Sequence, residues 1–221
     1  MKKLFFGVFV ALIASLSSCM DTSYEQAEQS IINIGVTSML DNDYLIINDS
    51  GQKLLAVSIP GDYEYEVGTR VKVVFKNAVK AEEGLAYDYT ITISEIEDIT
   101  VKDLIVIDDL NRDTLGDAGV HFNDVYISGR YLNVNMTFGA SNKPHYFNVS
   151  YDPDGQSEEE GIHTLVFHHK DNDDYWGATY NGFLSYDLNS LDEILLPPYK
   201  ILFKGIDAYN QAYEKTIDVE E

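Results

Sequence analysis

Three histidines and three aspartates lie close together in the second half of the chain, and their types are those that bind metal ions. They are His163, His168, His169, Asp171, Asp173 and Asp174. Imidazole and carboxylate groups suit zinc. On a strand, however, adjacent residues point to opposite faces, so only one of His168 and His169 can share a face with His163. The pattern therefore favours histidines at the surface of a sheet, and neither a metal site nor a cofactor is predicted.

Two aspartate-rich stretches, residues 152–155 and 171–174, raise the question of calcium. A calcium loop places oxygen ligands at alternating positions with glycine at the sixth, and neither stretch has that spacing. Asp and Asn side chains also cap the backbone of tight turns. Both stretches are therefore predicted to be hairpin turns, with weak calcium binding as the alternative.

The chain lacks the short motifs of common enzyme classes. It has no Gly-x-Ser-x-Gly, no His-Glu-x-x-His, no phosphate loop and no dinucleotide fingerprint. Cys19 is its only cysteine, which excludes disulfides and thiolate chemistry from the rest of the chain. The 37 acidic residues offer many chance carboxylate pairs, so no pair can be singled out for glycoside hydrolysis. We expect a protein that is not an enzyme, with a carboxylate-based hydrolase as an alternative.

Aromatic residues are the better candidates for ligand contacts. The chain has 16 tyrosines and a single tryptophan, Trp176. Exposed aromatic side chains on loops contact sugars and proteins, and the alternative, which the frequency of tyrosine in β cores favours, is that they cover the end of a β-sandwich. The predicted ligand surface comprises Lys72, Lys76, Tyr87, Tyr89, Tyr175, Trp176 and Tyr180.

The elements that must position these residues are β-strands. Alternation of apolar and polar residues predicts strands at residues 44–47, 53–57, 70–79, 87–96 and 101–107, and Ile31–Leu40 is an ambiguous entering strand. Five strands in this length are typical of an oligonucleotide/oligosaccharide-binding (OB) barrel, which we place at residues 36–108. In such barrels the strands equivalent to residues 70–79 and 87–96 often carry the ligand face.

A charged, aperiodic stretch at residues 108–113 indicates a domain boundary. Beyond it we predict seven strands, at residues 121–127, 131–138, 144–150, 162–169, 182–188, 199–204 and 213–219. Short strands separated by regular turn signals are typical of an immunoglobulin-like β-sandwich, expected at residues 114–221. The fold class is therefore all-β, a barrel followed by a sandwich.

The first residues have the features of an export signal. Lys2 and Lys3 precede an apolar run at residues 4–14, and Leu-Ser-Ser-Cys occupies residues 16–19. This order predicts a lipoprotein signal peptide at residues 1–18, cleaved after Ser18, with a lipid on Cys19 and a tether at residues 19–35. The apolar run is too short for a membrane span, which needs about 20 residues. Acyl chains on Cys19 would anchor the protein firmly to a membrane.

The charge of the chain narrows the possible partners. The formal net charge is −22 at pH 7. This charge repels phosphate groups, so nucleic acid is excluded as a ligand. An acidic surface also keeps an exported protein soluble.

Four stretches together resemble the NigD-like lipoproteins of Bacteroidetes. Residues 127–133 read Ile-Ser-Gly-Arg-Tyr-Leu-Asn, residues 143–148 read Lys-Pro-His-Tyr-Phe-Asn, residues 48–51 read Asn-Asp-Ser-Gly, and residues 68–71 read Gly-Thr-Arg-Val. The resemblance implies an N-terminal OB-type barrel and a C-terminal β-sandwich, in agreement with the strand pattern. The family has no settled biochemical activity, so the resemblance implies a fold and leaves the function open.

These observations predict a lipoprotein of the outer membrane, facing the periplasm or the cell surface. We expect a non-enzymatic binding module for a glycan or a protein, with the ligand on the barrel face built by residues 70–79 and 87–96. The alternative is a protective lipoprotein that captures a basic bacteriocin, since an acidic surface attracts a basic peptide.

Overall fold

Fourteen β-strands make up most of the part of the chain that the structure describes. This computed structural model describes residues 30–157, 159–174, 177–191, 195 and 199–219. The strands are β1 Ile31–Leu40, β2 Asp43–Asn48, β3 Lys53–Ser58, β4 Arg70–Lys80, β5 Tyr89–Asp98, β6 Val101–Asp103, β7 Ile105–Val106, β8 His121–Ser128, β9 Tyr131–Ala140, β10 Tyr146–Tyr151, β11 Ile162–Lys170, β12 Ala178–Asp187, β13 Tyr199–Ile206 and β14 Ala212–Val219. Two short 3₁₀ turns, Pro153–Gly155 and Leu188–Leu191, complete the elements. The predicted all-β class is confirmed, and no helix among these residues is long and apolar enough to cross a membrane.

The first five strands close into a barrel in the order β1-β2-β3-β5-β4, with β4 returning to β1. Strand β1 pairs with β4 along its first half and with β2 along its second half, and Gly35 belongs to both ladders. A Cβ atom at Gly35 would lie 2.5 Å from the carbonyl oxygen of Ile47, so the crossing requires glycine. Alternate residues of the strands fill the interior: Ile46, Leu54, Ala56, Val71, Val73, Phe75, Ile91 and Ile93.

The prediction that residues 101–107 form the fifth barrel strand is wrong. These residues form β6, which pairs in parallel with β12, and β7, which pairs in parallel with β10. Strand β1 completes the barrel instead, and it begins at Ile31, inside the range expected to be tether. Alternation identifies a strand but does not identify its partner, and an apolar strand fits either core.

The remaining strands form two packed sheets, β14-β13-β11-β10-β7 and β6-β12-β9-β8. The sandwich therefore has nine strands among the described residues, whereas seven were predicted. The two additional strands are β6 and β7, which precede the expected domain boundary in the sequence but pair with sandwich strands. Aromatic and branched side chains from both sheets fill its core. The largest fully buried members are Tyr186, Phe203, Leu132, Met136, Leu165, Ile201 and Val120.

A buried arginine joins the barrel to the sandwich. Arg70 is the first residue of β4, and only 1% of its side chain is exposed. Its guanidinium donates to both carboxylate oxygens of Asp49, at 2.7 Å for Nη2 to Oδ2, in the turn between β2 and β3. The same Nη2 donates to Oδ1 of Asn133 in the sandwich at 2.9 Å. Arg70 is buried because the sandwich covers it.

The sandwich also contacts Asp49 directly. The hydroxyl of Tyr126 donates to Asp49 Oδ2 at 3.1 Å, and the hydroxyl of Ser128 donates to the Asp49 carbonyl oxygen at 3.1 Å. The Arg70 guanidinium lies 4.8 Å from the ring centre of Tyr131, within the range of a cation–π contact. Burial and the charge of Asp49 raise the pKa of Tyr126, so its hydroxyl keeps the proton that it donates.

Residues 99 and 100, which connect the barrel to the sandwich, form backbone hydrogen bonds with both units. The amide of Ile99 donates to the carbonyl oxygen of Arg70 at 2.8 Å. The next residue, Thr100, accepts from the amide of Ser185 in β12 at 3.1 Å. Because backbone bonds fix the connection and a buried ion pair fixes the contact, the barrel and the sandwich keep one relative orientation.

We expect Asp49→Ala to lower the free energy of unfolding by about 3–5 kcal/mol, because it leaves the Arg70 guanidinium buried without its counter-ion. Urea denaturation measures the change. The matched control is Glu97→Ala, which breaks an ion pair with Lys72 whose side chains are 68% and 40% exposed. Its cost should be below about 1 kcal/mol. Equal losses in the two variants would contradict a structural role for the buried pair.

Candidate functional site

A groove runs along the junction between the barrel and the sandwich. The barrel covers only part of the outer face of the sheet β6-β12-β9-β8, where Asn133 and Ser185 are fully buried. Asn135 and Phe183 lie opposite each other on the same face, each two positions further from the barrel along its strand, and both are partly exposed. The groove that begins there has a volume of about 700 Å³.

The sandwich wall of the groove is a network of uncharged polar side chains on three adjacent strands. Asn123 Nδ2 donates to Asn135 Oδ1 at 3.1 Å and to Thr137 Oγ1 at 2.9 Å. Thr137 in turn donates its hydroxyl to Asn181 Oδ1 at 2.9 Å. The amide NH₂ groups of Asn135 and Asn181 have no hydrogen-bond partner among the described residues, so they are available to a ligand.

The local sequence explains why these amides face outward. In β9 the apolar Leu132, Val134 and Met136 point into the core, which turns Asn135 and Thr137 to the other face. A register shift between Phe122 and Asp124 bulges β8, and Asn123 is the extra residue of that bulge.

The barrel wall of the groove combines isoleucine side chains with the charged side chains of Lys72, Glu97 and Asp98. Ile32 is 64% exposed there, with Ile34 beside it on the same strand and Ile99 at the base. Phe183 and Tyr126 add aromatic surface from the sandwich side. The groove thus brings amide groups of the sandwich together with hydrocarbon and aromatic surface, and small-ligand sites usually combine apolar surface with a few polar groups.

Every acidic side chain of the groove already has a partner. Glu97 forms an ion pair with Lys72, and Asp98 accepts the hydroxyl of Tyr63 at 2.7 Å. Asp124 pairs with Lys215 at 3.1 Å. Each of these contacts engages one oxygen of its carboxylate.

The predicted ligand residues lie in different places. Lys72 lines the groove, whereas Lys76 is exposed further along β4, beyond the bulge of that strand. Tyr87 and Tyr89 are half-buried and line a separate hollow of about 570 Å³ at one end of the barrel, together with Gln52.

The other predicted positions divide between the sandwich and the residues that are not described. Tyr180 is 48% exposed, and its ring stacks on Phe138 at 6.1 Å between centres. Tyr175, Trp176, Ser18 and Cys19 lie outside the described residues.

The asparagines of the groove were not predicted, although a signal for them exists. In a chain of net charge −22, the outward positions in the middle of β9 are Asn133, Asn135 and Thr137, and those in the middle of β12 are Asn181, Phe183 and Ser185, with no acid among them. In β9, Asn133, Asn135 and Thr137 alternate with the apolar residues of the core. A polar face without charge in so acidic a chain indicates contact with another part of the protein or with a ligand.

The prediction of surface histidines is wrong for His169, which is 3% exposed. His169 Nε2 lies 2.8 Å from His145 Nδ1, and His145 Nε2 lies 3.3 Å from Asp174 Oδ2. His168 points to the opposite face, as its adjacency to His169 predicts, and its Nε2 lies 2.8 Å from the Ser150 hydroxyl. No group of three or more potential metal ligands converges anywhere in the described ranges.

Residues 152–155 lie in the hairpin connection between β10 and β11, as predicted, whereas residues 171–174 connect β11 to β12 in the other sheet, so the prediction of a hairpin turn there is wrong. Asp152 accepts the amide of Asp154 at 3.1 Å in the first stretch, and Asp171 accepts the amide of Asp173 at 3.1 Å in the second. Asp174 accepts three successive amides of residues 141–143 at 2.7, 3.1 and 3.2 Å. These bonds hold the pKa of Asp174 below its usual value, with the bond from Ser141 the largest cause.

The fold and the sequence place the chain in a known family. The model of the NigD-like C-terminal beta sandwich domain matches residues 103–219. The chain therefore belongs to the NigD-like family, as the resemblance predicted. The match begins within β6, which agrees with the assignment of that strand to the sandwich. No curated protein matches the chain.

Solved structures share the fold over most of the chain. A protein of unknown function from Bacteroides vulgatus is 18% identical, with a TM-score of 0.74, and the match covers 87% of this chain and 92% of that one. A NigD-like immunity protein from Bacteroides caccae is 21% identical, with a TM-score of 0.60, covering 87% and 93%. A candidate lipoprotein from Bacteroides fragilis is 12% identical, with a TM-score of 0.60, covering 87% and 99%. At identities this low, the likeness establishes the fold alone.

The buried histidines predict that stability falls in mild acid. Burial, with the nearby His145, lowers the pKa of His169, and burial lowers that of His168. The unfolded chain therefore binds more protons as the pH falls below about 6.5, and the free energy of unfolding decreases from pH 7 to pH 5.

We expect His169→Phe to make this decrease smaller, because one buried imidazole no longer titrates. Phe147 stacks on His169 at 4.6 Å between ring centres, so an aromatic replacement keeps the packing. Urea denaturation at several pH values measures the slope, and the exposed His121→Phe is the control with an unchanged slope. A slope in His169→Phe equal to that of the original protein would contradict the prediction.

Proposed function

We propose that this protein is a lipid-anchored, non-enzymatic binding module of the outer envelope that holds a glycan or protein ligand in the groove between its barrel and its sandwich. The observation that carries the proposal is the open groove of about 700 Å³ with unpaired amide groups on one wall and exposed isoleucine on the other. Exposed groups of both kinds gain contacts when a ligand fills the groove.

The rigid junction supports binding in a preformed site. The Arg70–Asp49 pair and the bonded connection hold both walls in place before any ligand arrives. A site that is ordered in advance loses less entropy on binding. Tyr126 belongs both to the junction and to the groove, so the same contact that fixes the two units also shapes the site.

The distribution of reactive side chains supports binding over hydrolysis. Ser150 and His168 are within hydrogen-bond distance of each other, but Ser150 is only 1% exposed and His168 is near the carbonyl oxygen of Gly116. The acids of the groove are occupied by Lys72, Tyr63 and Lys215. A carboxylate-based hydrolase is therefore the weaker alternative.

The predicted lipid on Cys19 supports a location at the outer membrane, on the periplasmic face or at the cell surface. The signal pattern of residues 1–19 is the basis for this location. The similar chain from Bacteroides fragilis that is described as a candidate lipoprotein agrees with it.

The second candidate function is capture of a basic peptide, as in protection against a bacteriocin. The net charge of −22 favours it, because a strongly acidic surface speeds the approach of a basic partner. A similar solved structure is named as a NigD-like immunity protein.

The anchor is tested by Cys19→Ser in the full-length chain, expressed in a Bacteroidetes host. We expect the original protein in the membrane fraction and the variant released from it, because the acyl chains supply the membrane affinity. The serine variant of an exposed position elsewhere, Thr216→Ser, is the control and should stay with the membrane. Membrane retention of Cys19→Ser would contradict lipid anchoring.

The groove is tested by hydrogen–deuterium exchange of the exported chain mixed with either the protein fraction or the polysaccharide fraction of the envelope. We expect at least one fraction to protect residues 123–126 and 181–183, because a ligand in the groove covers both strands. The barrel end at residues 81–89 is the internal control. Protection confined to the barrel end would move the site to Tyr87 and Tyr89, and no protection at either place would contradict a binding module.

A further inference from the structure

We propose that the groove selects a neutral oligosaccharide, an inference that rests on the proposed function and names the ligand class of the same site. The ligand is assigned from three properties of the groove. These are the amide network on the sandwich wall, the isoleucines of the barrel wall, and the pairing of the groove acids.

The amide wall matches the chemistry of sugar hydroxyls. A side-chain amide carries donors and acceptors together, and so does a hydroxyl group. Asn135 and Asn181 each use the amide oxygen inside the network and leave the NH₂ group unpaired. The two NH₂ groups can therefore donate to sugar oxygens without any loss of bonds within the protein.

The spacing of these amides suits an extended chain. Asn135 in β9 lies opposite Phe183 in the adjacent strand β12. Thr137 and Asn181 form the next pair of opposite residues on the same face. Alternate residues of a strand are about 6.6 Å apart, so successive rows offer polar groups at intervals comparable to the length of one sugar ring.

The isoleucines of the barrel wall and Phe183 suit the C–H groups of a sugar ring. A pyranose ring exposes C–H groups on its faces and hydroxyls around its edge, so it packs well between hydrocarbon or aromatic surface and polar groups. Ile32, 64% exposed, and Ile34 supply the hydrocarbon, and Phe183 supplies an aromatic ring next to Asn135. A volume of about 700 Å³ accommodates a short oligosaccharide.

The charges of the groove argue against a cationic peptide at this place. Glu97 forms an ion pair with Lys72, and Asp124 forms one with Lys215. Asp98 accepts the hydroxyl of Tyr63. The free NH₂ groups of Asn135 and Asn181 are donors, which a guanidinium or ammonium group, itself only a donor, cannot use.

The test is isothermal titration of the exported chain from Met20 with cellohexaose, maltohexaose, mannohexaose, xylohexaose and nona-arginine. We expect at least one hexasaccharide to bind and to shift the side-chain amide NMR signals of Asn135 and Asn181. Asn181→Asp keeps the oxygen that accepts from Thr137 and replaces the free NH₂ group, a donor, with a charged carboxylate oxygen that can only accept. It should weaken hexasaccharide binding about tenfold, the effect of losing one well-formed hydrogen bond.

Asn210→Asp is the matched control, because it makes the same chemical change on an exposed turn outside the groove. It should leave hexasaccharide binding unchanged. Asn135→Asp is a second groove variant that keeps the acceptor for Asn123 and should weaken binding like Asn181→Asp.

Three results would overturn the inference. They are no binding of any hexasaccharide, binding that neither groove variant weakens, and nona-arginine binding in the groove that Asn181→Asp strengthens. If the protein fraction of the envelope protects the groove from exchange while no hexasaccharide binds, the oligosaccharide inference fails and the binding module stands. If neither protects the groove, both fail.

Discussion

The buried ion pair between Arg70 and Asp49 is the contact on which the arrangement of this protein depends. A guanidinium removed from water must keep a counter-ion and satisfy its remaining donors, or the folded state loses several kcal/mol. Asp49 comes from a barrel turn and Asn133 from a sandwich strand, so the requirement can be met only when both units fold and meet. A polar contact of this kind also specifies one geometry, because a displaced barrel would leave the charge unpaired.

The groove is a consequence of that geometry. The barrel contacts one end of a sheet face, covers Asn133 and Ser185, and leaves Asn135 and Phe183 open. The polar face of β9 therefore has two roles along a single strand. Near the barrel, the side-chain amide of Asn133 is buried and accepts from Arg70. Further away, the side-chain amide of Asn135 faces the solvent in the groove. The position of the junction determines where one role ends and the other begins.

The charge of the chain and the chemistry of the groove are separate properties. The acidic surface gives solubility and repels anionic partners at a distance. Inside the groove the acids form ion pairs with Lys72 and Lys215 or accept a hydrogen bond from Tyr63. The buried histidines are structural in the same sense, since His145 and Asp174 tie the end of β11 to neighbouring loops. Residue types that suggest chemistry in the sequence here hold the fold together.

The sequence by itself determined the all-β class, the order of barrel and sandwich, the family and the predicted export signal. Strand periodicity, turn residues and the apolar leader are local properties, so they can be read without a structure. Only the tertiary structure decided that residues 101–106 join the sandwich, that Arg70 and His169 are buried, and that Asn135 and Asn181 line a groove. Alternation shows which side chains share a face, but what covers that face depends on contacts between residues far apart in the chain.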